Sequence, residues 1–389
     1  MITTALGRGF ITMSDTVALS RLARQPLCRP EVSGLPRYNA GLSEDEVQRR
    51  YSLKNIVKLG SNENPYGPST QVKAVWDNLA SRLGRYPDAA AMTLRSDIAK
   101  ICGIELDRTL VGNGSEQIIR MIAEAYLSPQ DRVVTVKPAF GLHEICPRMM
   151  GAVVDAVPIT EQATFDCAAL QQAVQSPTKI LMFANPSNPV GCMMKGDELQ
   201  ELIASCPPDA LIVVDEAYRE YAEQDPEYPD ARIILEKQER PWIILRTFSK
   251  AYGLAALRIG YALTSSGEIS AALDTVRDPF NTNMPAQVAA CAALADVAYM
   301  KDCVRKTVAE RERVVQFLIT KGLFVAPTWT NFVFVRTSMK ADKLAVALLE
   351  QGIIIKPWKE AGFENWIRIS IGLPEENNIV MNALADLVL

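Results

Sequence analysis

The 389-residue sequence predicts an α/β protein that has a large, doubly wound, mostly parallel sheet domain and a smaller α+β domain. Three observations support this fold class. Short apolar runs alternate with helical patterns along most of the chain, as in doubly wound sheets. The runs are continuously apolar, which is typical of parallel strands buried on both faces. Towards the C-terminus, a long charged amphipathic helix precedes further strand-like segments, which indicates a second, smaller domain.

The apolar runs of the large domain predict strands at Arg132–Val136, Lys179–Phe183, Ala210–Val214 and Trp242–Leu245. Helices are predicted at Ser115–Tyr126 and Gly196–Ala204. In the smaller domain we predict a helix at Tyr299–Thr320 and strands at Asn331–Val335, Ile353–Lys356 and Ile367–Ile371. The chain therefore divides into an N-terminal arm over 1–50, a large domain over 51–285 and a small domain over 286–389. The first residues of the large domain are expected to pack with the small one.

Composition excludes several classes of function. The net charge is −4, so no basic excess indicates a nucleic-acid partner. No apolar stretch approaches the roughly 20 residues needed to span a membrane. The eight cysteines form no CxxC pair, which favours reduced thiols, a cytoplasmic location and no metal site. His143 is the only histidine, so a multi-histidine metal site is impossible, and we expect it to be structural or peripheral.

The strongest candidate for chemistry is the segment TFSKAYGLAALRIGY, which follows a predicted strand. It contains Thr247, Ser249, Lys250 and Arg258. Hydroxyl and guanidinium groups are good phosphate ligands, and a lysine with a lowered pKa can bond covalently to a carbonyl carbon. On these residue types alone, a surface loop with a solvated lysine and arginine is an equally good interpretation.

Three other segments carry polar groups at strand ends or helix starts. In LIVVDEAYREY, Asp215 could hold a pyridinium nitrogen protonated, bind magnesium or cap a turn. Magnesium is disfavoured because the chain has no GxxxxGK[ST] loop. In FANPSNPVG, Asn188 could bind a ligand oxygen or only form a turn. In VGNGSEQIIR, a glycine turn leads to Ser115, where helix N–H groups could cradle a phosphate or be capped normally.

Together and in this order, the segments resemble fold-type I enzymes that depend on pyridoxal 5′-phosphate (PLP). The sequence is most similar to the class I/II aminotransferases, and within them to the histidinol-phosphate aminotransferase family. The resemblance covers roughly residues 50–389. It rests on KLGSNENPYGPS, RYPD, GNGSEQII, NPSNPVG, DEAYREY, TFSKAYGLAALRIGY and WIRISIG.

The resemblance implies a PLP cofactor and roles for the residues around its ring. Lys250 corresponds to the lysine that bonds covalently to the cofactor and then acts as the general base. Asp215 corresponds to the partner of the pyridinium nitrogen, and these two are the implied catalytic residues. Tyr218 and Asn188 correspond to the residues that bind the ring hydroxyl. Phe140 corresponds to the aromatic residue that stacks on the ring.

Further residues are implied at the cofactor phosphate and in the substrate pocket. The phosphate-side residues are Ser115, Glu116, Thr247, Ser249 and Arg258. Tyr86 corresponds to a tyrosine that reaches the phosphate of the neighbouring subunit, so a homodimer is implied. Arg368 corresponds to the arginine that binds the substrate carboxylate, and Asn64 is expected to line the substrate pocket.

The implied activity is the transfer of an amino group between a small-molecule donor and 2-oxoglutarate by a ping-pong mechanism, with histidinol phosphate as the favoured donor. Lys356 stands where this family usually has an arginine near the substrate phosphate, and lysine offers a point charge without a planar fork. An aromatic amino acid aminotransferase is therefore an alternative, with Trp358 and Trp366 either lining an apolar pocket or packing in the core. Two further alternatives are a PLP-dependent decarboxylase or lyase of the same fold and a non-catalytic PLP-binding module.

Overall fold

The structure is a computed structural model that describes residues 28–36, 41–53, 55–76 and 78–388. Residues 1–27 and 37–40 of the predicted N-terminal arm lie outside the described residues. In chain order the strands are β1 (Val57–Lys58), β2 (Thr109–Gly112), β3 (Arg132–Lys137), β4 (Val153–Pro158), β5 (Ile180–Ala184), β6 (Leu211–Asp215), β7 (Trp242–Thr247), β8 (Gly260–Thr264), β9 (Phe324–Val325), β10 (Phe332–Arg336), β11 (Ile353–Ile354), β12 (Lys356–Pro357) and β13 (Trp366–Ser370).

The α-helices surround and connect these strands. They are α1 (Pro30–Ser33), α2 (Glu44–Tyr51), α3 (Thr70–Trp76), α4 (Met92–Cys102), α5 (Ser115–Tyr126), α6 (Leu142–Met149), α7 (Cys167–Val174), α8 (Gly196–Ser205), α9 (Arg219–Ala222), α10 (Ala231–Lys237), α11 (Gly267–Thr275), α12 (Met284–Ala295), α13 (Val297–Thr320), α14 (Ala341–Glu350) and α15 (Pro374–Val388). Across the described ranges, no helix is both long and apolar enough to cross a membrane.

The large sheet has seven strands in the order β2-β8-β7-β6-β5-β3-β4. Strand β8 is antiparallel to both of its neighbours, and the strands from β7 to β4 pair in parallel. Every residue of β5, β6 and β7 is buried. Because side chains alternate along a strand, Ile212 belongs to the core on one face and Val213 to the core on the other. The predicted doubly wound, mostly parallel α/β fold is confirmed.

A smaller unit contains a four-stranded antiparallel sheet in the order β12-β13-β10-β9. Helices α13 and α14 pack on this sheet, and α15 packs on both helices and adds side chains to the same core. The sequence predicts one strand over Ile353–Lys356, but the structure has two short strands there, because the chain changes its pairing partner at Ile355. Strand β11 pairs in parallel with β1, whereas β12 pairs antiparallel with β13. The chain before the large sheet is thereby attached to the C-terminal unit.

Helix α12 contributes Ala286, Ala289 and Ala290 to the core on one face of the large sheet. It also packs on α3 and α4. The predicted division between residues 285 and 286 falls inside this helix, so a boundary after α12 fits the packing better. The division into domains otherwise remains a prediction.

Candidate active site

A cavity of about 770 Å³ opens at the carboxyl ends of the parallel strands of the large sheet. Ligands of open α/β sheets bind at this edge, because the loops that follow several parallel strands converge there. The cavity is lined by most of the residues that the sequence implicates: Ser115, Glu116, Phe140, Asn188, Asp215, Tyr218, Thr247, Ser249, Lys250, Arg258, Lys356 and Arg368. Two of the predicted residues, Tyr86 and Asn64, do not line it.

Lys250 lies in the turn that follows β7. Its Nζ donates a hydrogen bond to the carbonyl oxygen of Ser61, 3.0 Å away. Burial lowers its pKa to about 8, with a further contribution from the positive charge of Arg368. A lowered pKa increases the fraction of neutral amine near neutral pH, which suits a nucleophile or a general base.

Asp215 is the last residue of β6 and is only 4% exposed. One carboxylate oxygen accepts a hydrogen bond from the backbone N–H of Ala217 at 3.1 Å. The other lies 3.3 Å from Nε2 of His143, which is fully buried on α6. Of the two roles expected for His143, structural or peripheral, the buried position beside Asp215 fits the structural one and not the peripheral one. The sequence gives little warning of this contact, because 72 residues separate the two side chains.

An anion pocket forms where β2 leads into α5. Gly114 precedes this helix with a φ of 75°, and Ser115 and Glu116 occupy the first turn. Arg258 contacts Glu116 at 2.9 Å and the hydroxyl of Ser249 at 3.4 Å. A Cβ on Gly114 would lie 2.8 Å from the guanidinium of Arg258, so the close approach requires glycine. Free helix N–H groups, hydroxyls and a guanidinium make this pocket suitable for a phosphate.

A second concentration of positive charge comes from the small unit. Arg368 on β13 donates to Asn188 Oδ1 at 2.6 Å and to the carbonyl oxygen of Gly60 at 2.9 Å. Lys356 on β12 is its direct register partner. Burial, together with the positive charge of the neighbouring Arg368, lowers the pKa of Lys356 to about 8. Two adjacent cations in a partly enclosed cavity could hold an anionic ligand.

The position predicted for Asn64 is wrong. Its amide donates to the carbonyl oxygen of Ala251 at 2.9 Å, so it supports the turn next to Lys250 instead of lining the cavity. The cavity is lined by the two preceding residues of the same segment, Asn62 and Glu63. Asn62 donates to the hydroxyl of Tyr218 at 2.8 Å. The sequence motif locates this segment correctly, but which side chains face inward depends on the path of the turn.

The structure assigns different positions to Trp358 and Trp366, for which the sequence left both pocket lining and core packing open. Trp366 is buried and stacks on Phe334 with ring centroids 4.7 Å apart, so it packs in the core. Trp358 lines the cavity. Tyr86 is 82% exposed and stacks on Phe280 at 4.4 Å, outside the cavity of its own chain.

Among the residues that the structure describes, no group of His, Cys, Asp and Glu side chains could hold a metal ion.

The sequence and the fold were also compared with known proteins. Residues 54–384 match the family model for aminotransferase class I and II. The chain is 44% identical to histidinol-phosphate aminotransferase 1 of Mesorhizobium japonicum, over 93% of this chain and 98% of that protein. It is 41% identical to histidinol-phosphate aminotransferase 3 of Rhizobium meliloti, over 92% and 96%. The crystal structure of histidinol-phosphate aminotransferase from Sinorhizobium meliloti in complex with pyridoxal-5′-phosphate superposes with a TM-score of 0.85 at 27% identity, covering 94% of this chain and 98% of that chain.

The contact between His143 and Asp215 yields a testable prediction. Replacing His143 with Leu removes a buried polar neighbour of a carboxylate, which typically contributes about 1.5 kcal/mol. We expect kcat/KM to fall about tenfold, whereas His143→Gln, which retains a side-chain N–H, should lose less. Steady-state kinetics on variants with unchanged circular dichroism provides the measurement. Wild-type activity in a folded His143→Leu protein would contradict a role for the contact.

Proposed function

The chain belongs to the class I and II aminotransferases, and we propose that it transfers the amino group of histidinol phosphate to 2-oxoglutarate with PLP as its cofactor. The observation that carries the proposed donor is the pair of Lys356 and Arg368, adjacent cations in the cavity that also contains Lys250. A phosphate monoester carries more negative charge than a carboxylate near neutral pH, so a second cation favours it. A lysine suffices for this task, because a point charge attracts phosphate even without a planar fork.

The residues of the cavity fit PLP. The anion pocket formed by Ser115, Ser249 and Arg258 would hold its phosphate, and Asp215 at the base of the cavity would hold its ring nitrogen. Lys250 would hold the cofactor covalently. When bound, PLP supplies an electron-withdrawing ring that stabilises negative charge at the donor α-carbon. Phe140 lines the same cavity and would stack on the ring.

The protein side chains then perform the binding and the proton movements. Arg368 and Lys356 bind the anionic group of each substrate and orient its α-carbon towards Lys250. The amine of Lys250, freed when the donor's amino group takes its place, would then take the proton from that carbon, for which a pKa of about 8 is suitable. The same cations bind 2-oxoglutarate after the first product leaves, so donor and acceptor occupy one site in turn, as ping-pong kinetics requires.

A homodimer and a cytoplasmic location are part of the proposal. Tyr86, Leu83, Met92 and Phe280 expose apolar surface, which a second copy of the chain would cover. The large exposure of Tyr86 and its absence from its own cavity support a role in the partner's site. The eight cysteines are free thiols, which is consistent with a reducing compartment.

A donor panel tests the proposed reaction. With 2-oxoglutarate as acceptor, we expect histidinol phosphate to give a higher kcat/KM than phenylalanine, tyrosine or aspartate, because its phosphate concentrates about two negative charges on one group beside the two cations, whereas each carboxylate carries one. Glutamate formation is the measurement. An aromatic amino acid that exceeds histidinol phosphate would contradict the proposed donor, and carbon dioxide release without glutamate formation would contradict the reaction class.

The role of Lys356 predicts a pH dependence. The free chain loses the Lys356 charge as the pH rises above about 8, so KM for histidinol phosphate should rise there. Lys356→Arg keeps its charge at higher pH and should flatten this rise, while Lys356→Met should raise KM about tenfold or more already at pH 7. Initial rates from pH 6.5 to 9.5, roughly a Lys356 titration range, provide the test. Equal KM values for the three proteins across this range would contradict a contact with the phosphate.

Mixing two variants tests whether Tyr86 acts on the neighbouring subunit. Tyr86→Ala should lose activity through a missing phosphate contact, and Lys250→Ala should be inactive. If Tyr86 acts across the interface, a mixed dimer has one intact site, so refolding the two variants together should raise activity well above either alone. No gain in a mixture whose mixed dimers are verified by native mass spectrometry would place Tyr86 in its own site or outside any site.

A further inference from the structure

The segment that follows β1 contacts side chains of the cavity one residue after another. The carbonyl oxygen of Gly60 accepts a hydrogen bond from Arg368 at 2.9 Å, and that of Ser61 accepts from Lys250 at 3.0 Å. The next residue, Asn62, makes its contact through its side chain. All three residues of the segment line the cavity. The segment is therefore placed where it can influence the groups that act on a bound cofactor.

The side chain of Asn62 faces the phenol group of Tyr218, and both residues are buried. Asn62 Nδ2 donates to the hydroxyl oxygen of Tyr218 at 2.8 Å. The Tyr218 ring is held by an edge-to-face contact with Phe332, with centroids 5.2 Å apart. A hydroxyl group that accepts a hydrogen bond becomes a stronger donor, because hydrogen bonds in a chain polarise one another. Asn62 therefore makes Tyr218 a better donor of its own hydrogen.

Ser370 on β13 determines the orientation of the Asn62 amide. Its Oγ accepts from the backbone N–H of Asn62 at 2.7 Å and donates to Asn62 Oδ1 at 3.0 Å. Because Oδ1 makes this contact, the amide nitrogen faces Tyr218. The reversed amide would direct two donors at Ser370, and its oxygen would compete for the hydrogen of the Tyr218 hydroxyl. The arrangement in the structure gives both amide atoms a partner.

The backbone of Asn62 is also fixed by the small unit. Its φ of 57° is in the left-handed region, which asparagine tolerates better than most residues. Its carbonyl oxygen accepts from Asn331 Nδ2 at 2.9 Å. Asn331 directly precedes β10 and Ser370 ends β13, so two neighbouring strands hold Asn62 in this conformation. The amide is thereby presented to Tyr218 at a defined position.

We propose that Asn62 is a positioning residue that acts through Tyr218, because its amide directs the Tyr218 O–H towards the ring hydroxyl oxygen of PLP. This assignment rests on the cofactor of the proposed function and is independent of the donor. When PLP is bound, a hydrogen bond from Tyr218 would disperse the negative charge of that oxygen. A dispersed charge attracts a neighbouring proton less, so the linkage between PLP and Lys250 should lose its proton at a lower pH.

The absorbance of the PLP-loaded enzyme tests the proposal without any substrate. The visible band of a PLP–lysine linkage changes when the linkage loses its proton, so a pH titration gives a midpoint. Asn62→Gly removes the amide and permits the positive φ. We expect its midpoint to rise by about one pH unit, which corresponds to one hydrogen bond. Ser370→Ala keeps the amide but removes the group that orients it, so the rise should be smaller.

A double-mutant cycle with Tyr218→Phe separates an effect through Tyr218 from a direct effect of Asn62. Tyr218→Phe alone should raise the midpoint at least as much as Asn62→Gly does. Adding Asn62→Gly to Tyr218→Phe should then produce no further rise. The charged side chains that act on Lys250 are the same in every variant, and they are Arg368, Glu63, Arg258 and Glu116.

Asn377→Ala is the matched control for the loss of a buried amide. The Asn377 side chain is buried and forms two hydrogen bonds of 2.9 Å with the backbone of Gly372, but it does not line the cavity. It should lower Tm and leave the midpoint unchanged. An equal rise in Asn377→Ala would show a general effect of lost packing and would overturn the assignment.

An unchanged midpoint in Asn62→Gly, or an equal rise when Tyr218 is already Phe, would also overturn the role of Asn62. If Asn62→Gly fails to fold or to bind PLP, Ser370→Ala carries the test, and an unchanged midpoint there contradicts the proposal. A wild type that prefers another donor to histidinol phosphate would overturn the proposed donor and leave this titration unaffected.

Discussion

The site depends on a constraint of parallel sheets that are buried on both faces. Strands β5, β6 and β7 have no exposed residue, so polar side chains that must reach a ligand occur where these strands end. Asp215 ends β6, Thr247 ends β7, and Asn188 follows β5. Because the strands run in parallel, these residues meet at one edge, and the apolar core below holds them in place.

Burial then determines the electrostatics of the cavity. Lys250 and Lys356 are both partly removed from water, and Arg368 adds positive charge near them, so both pKa values fall to about 8. The cations are therefore costly to keep charged in the free protein and are stabilised by anionic ligands. Burial acts in the opposite direction on Glu360 at the rim of the same cavity, where it raises the pKa of the carboxyl group to about 7.

The cavity is completed by two structural units. The large sheet provides Lys250, Asp215 and the anion pocket, while the small unit provides Lys356 and Arg368. Arg368 donates to Asn188 and to the carbonyl oxygen of Gly60, so it connects the C-terminal strand both to the loop after β5 and to the N-terminal segment. Lys356 and Arg368 thus lie on a different structural unit from Lys250 and Asp215, and the cavity requires both units.

The sequence by itself determined the α/β class, the helix Ser115–Tyr126 and the segments that contain Lys250 and Asp215, because apolar periodicity and local motifs are properties of neighbouring residues. Arg368 was implied only by the resemblance to the aminotransferases. Only the tertiary structure decided which side chains face the cavity. Asn62 and Glu63 line the cavity, and Asn64 does not. His143 contacts Asp215. Trp358 lines the cavity, whereas Trp366 packs on Phe334 in the core. These outcomes depend on strand register, turn path and packing between residues far apart in the chain, which no local pattern specifies.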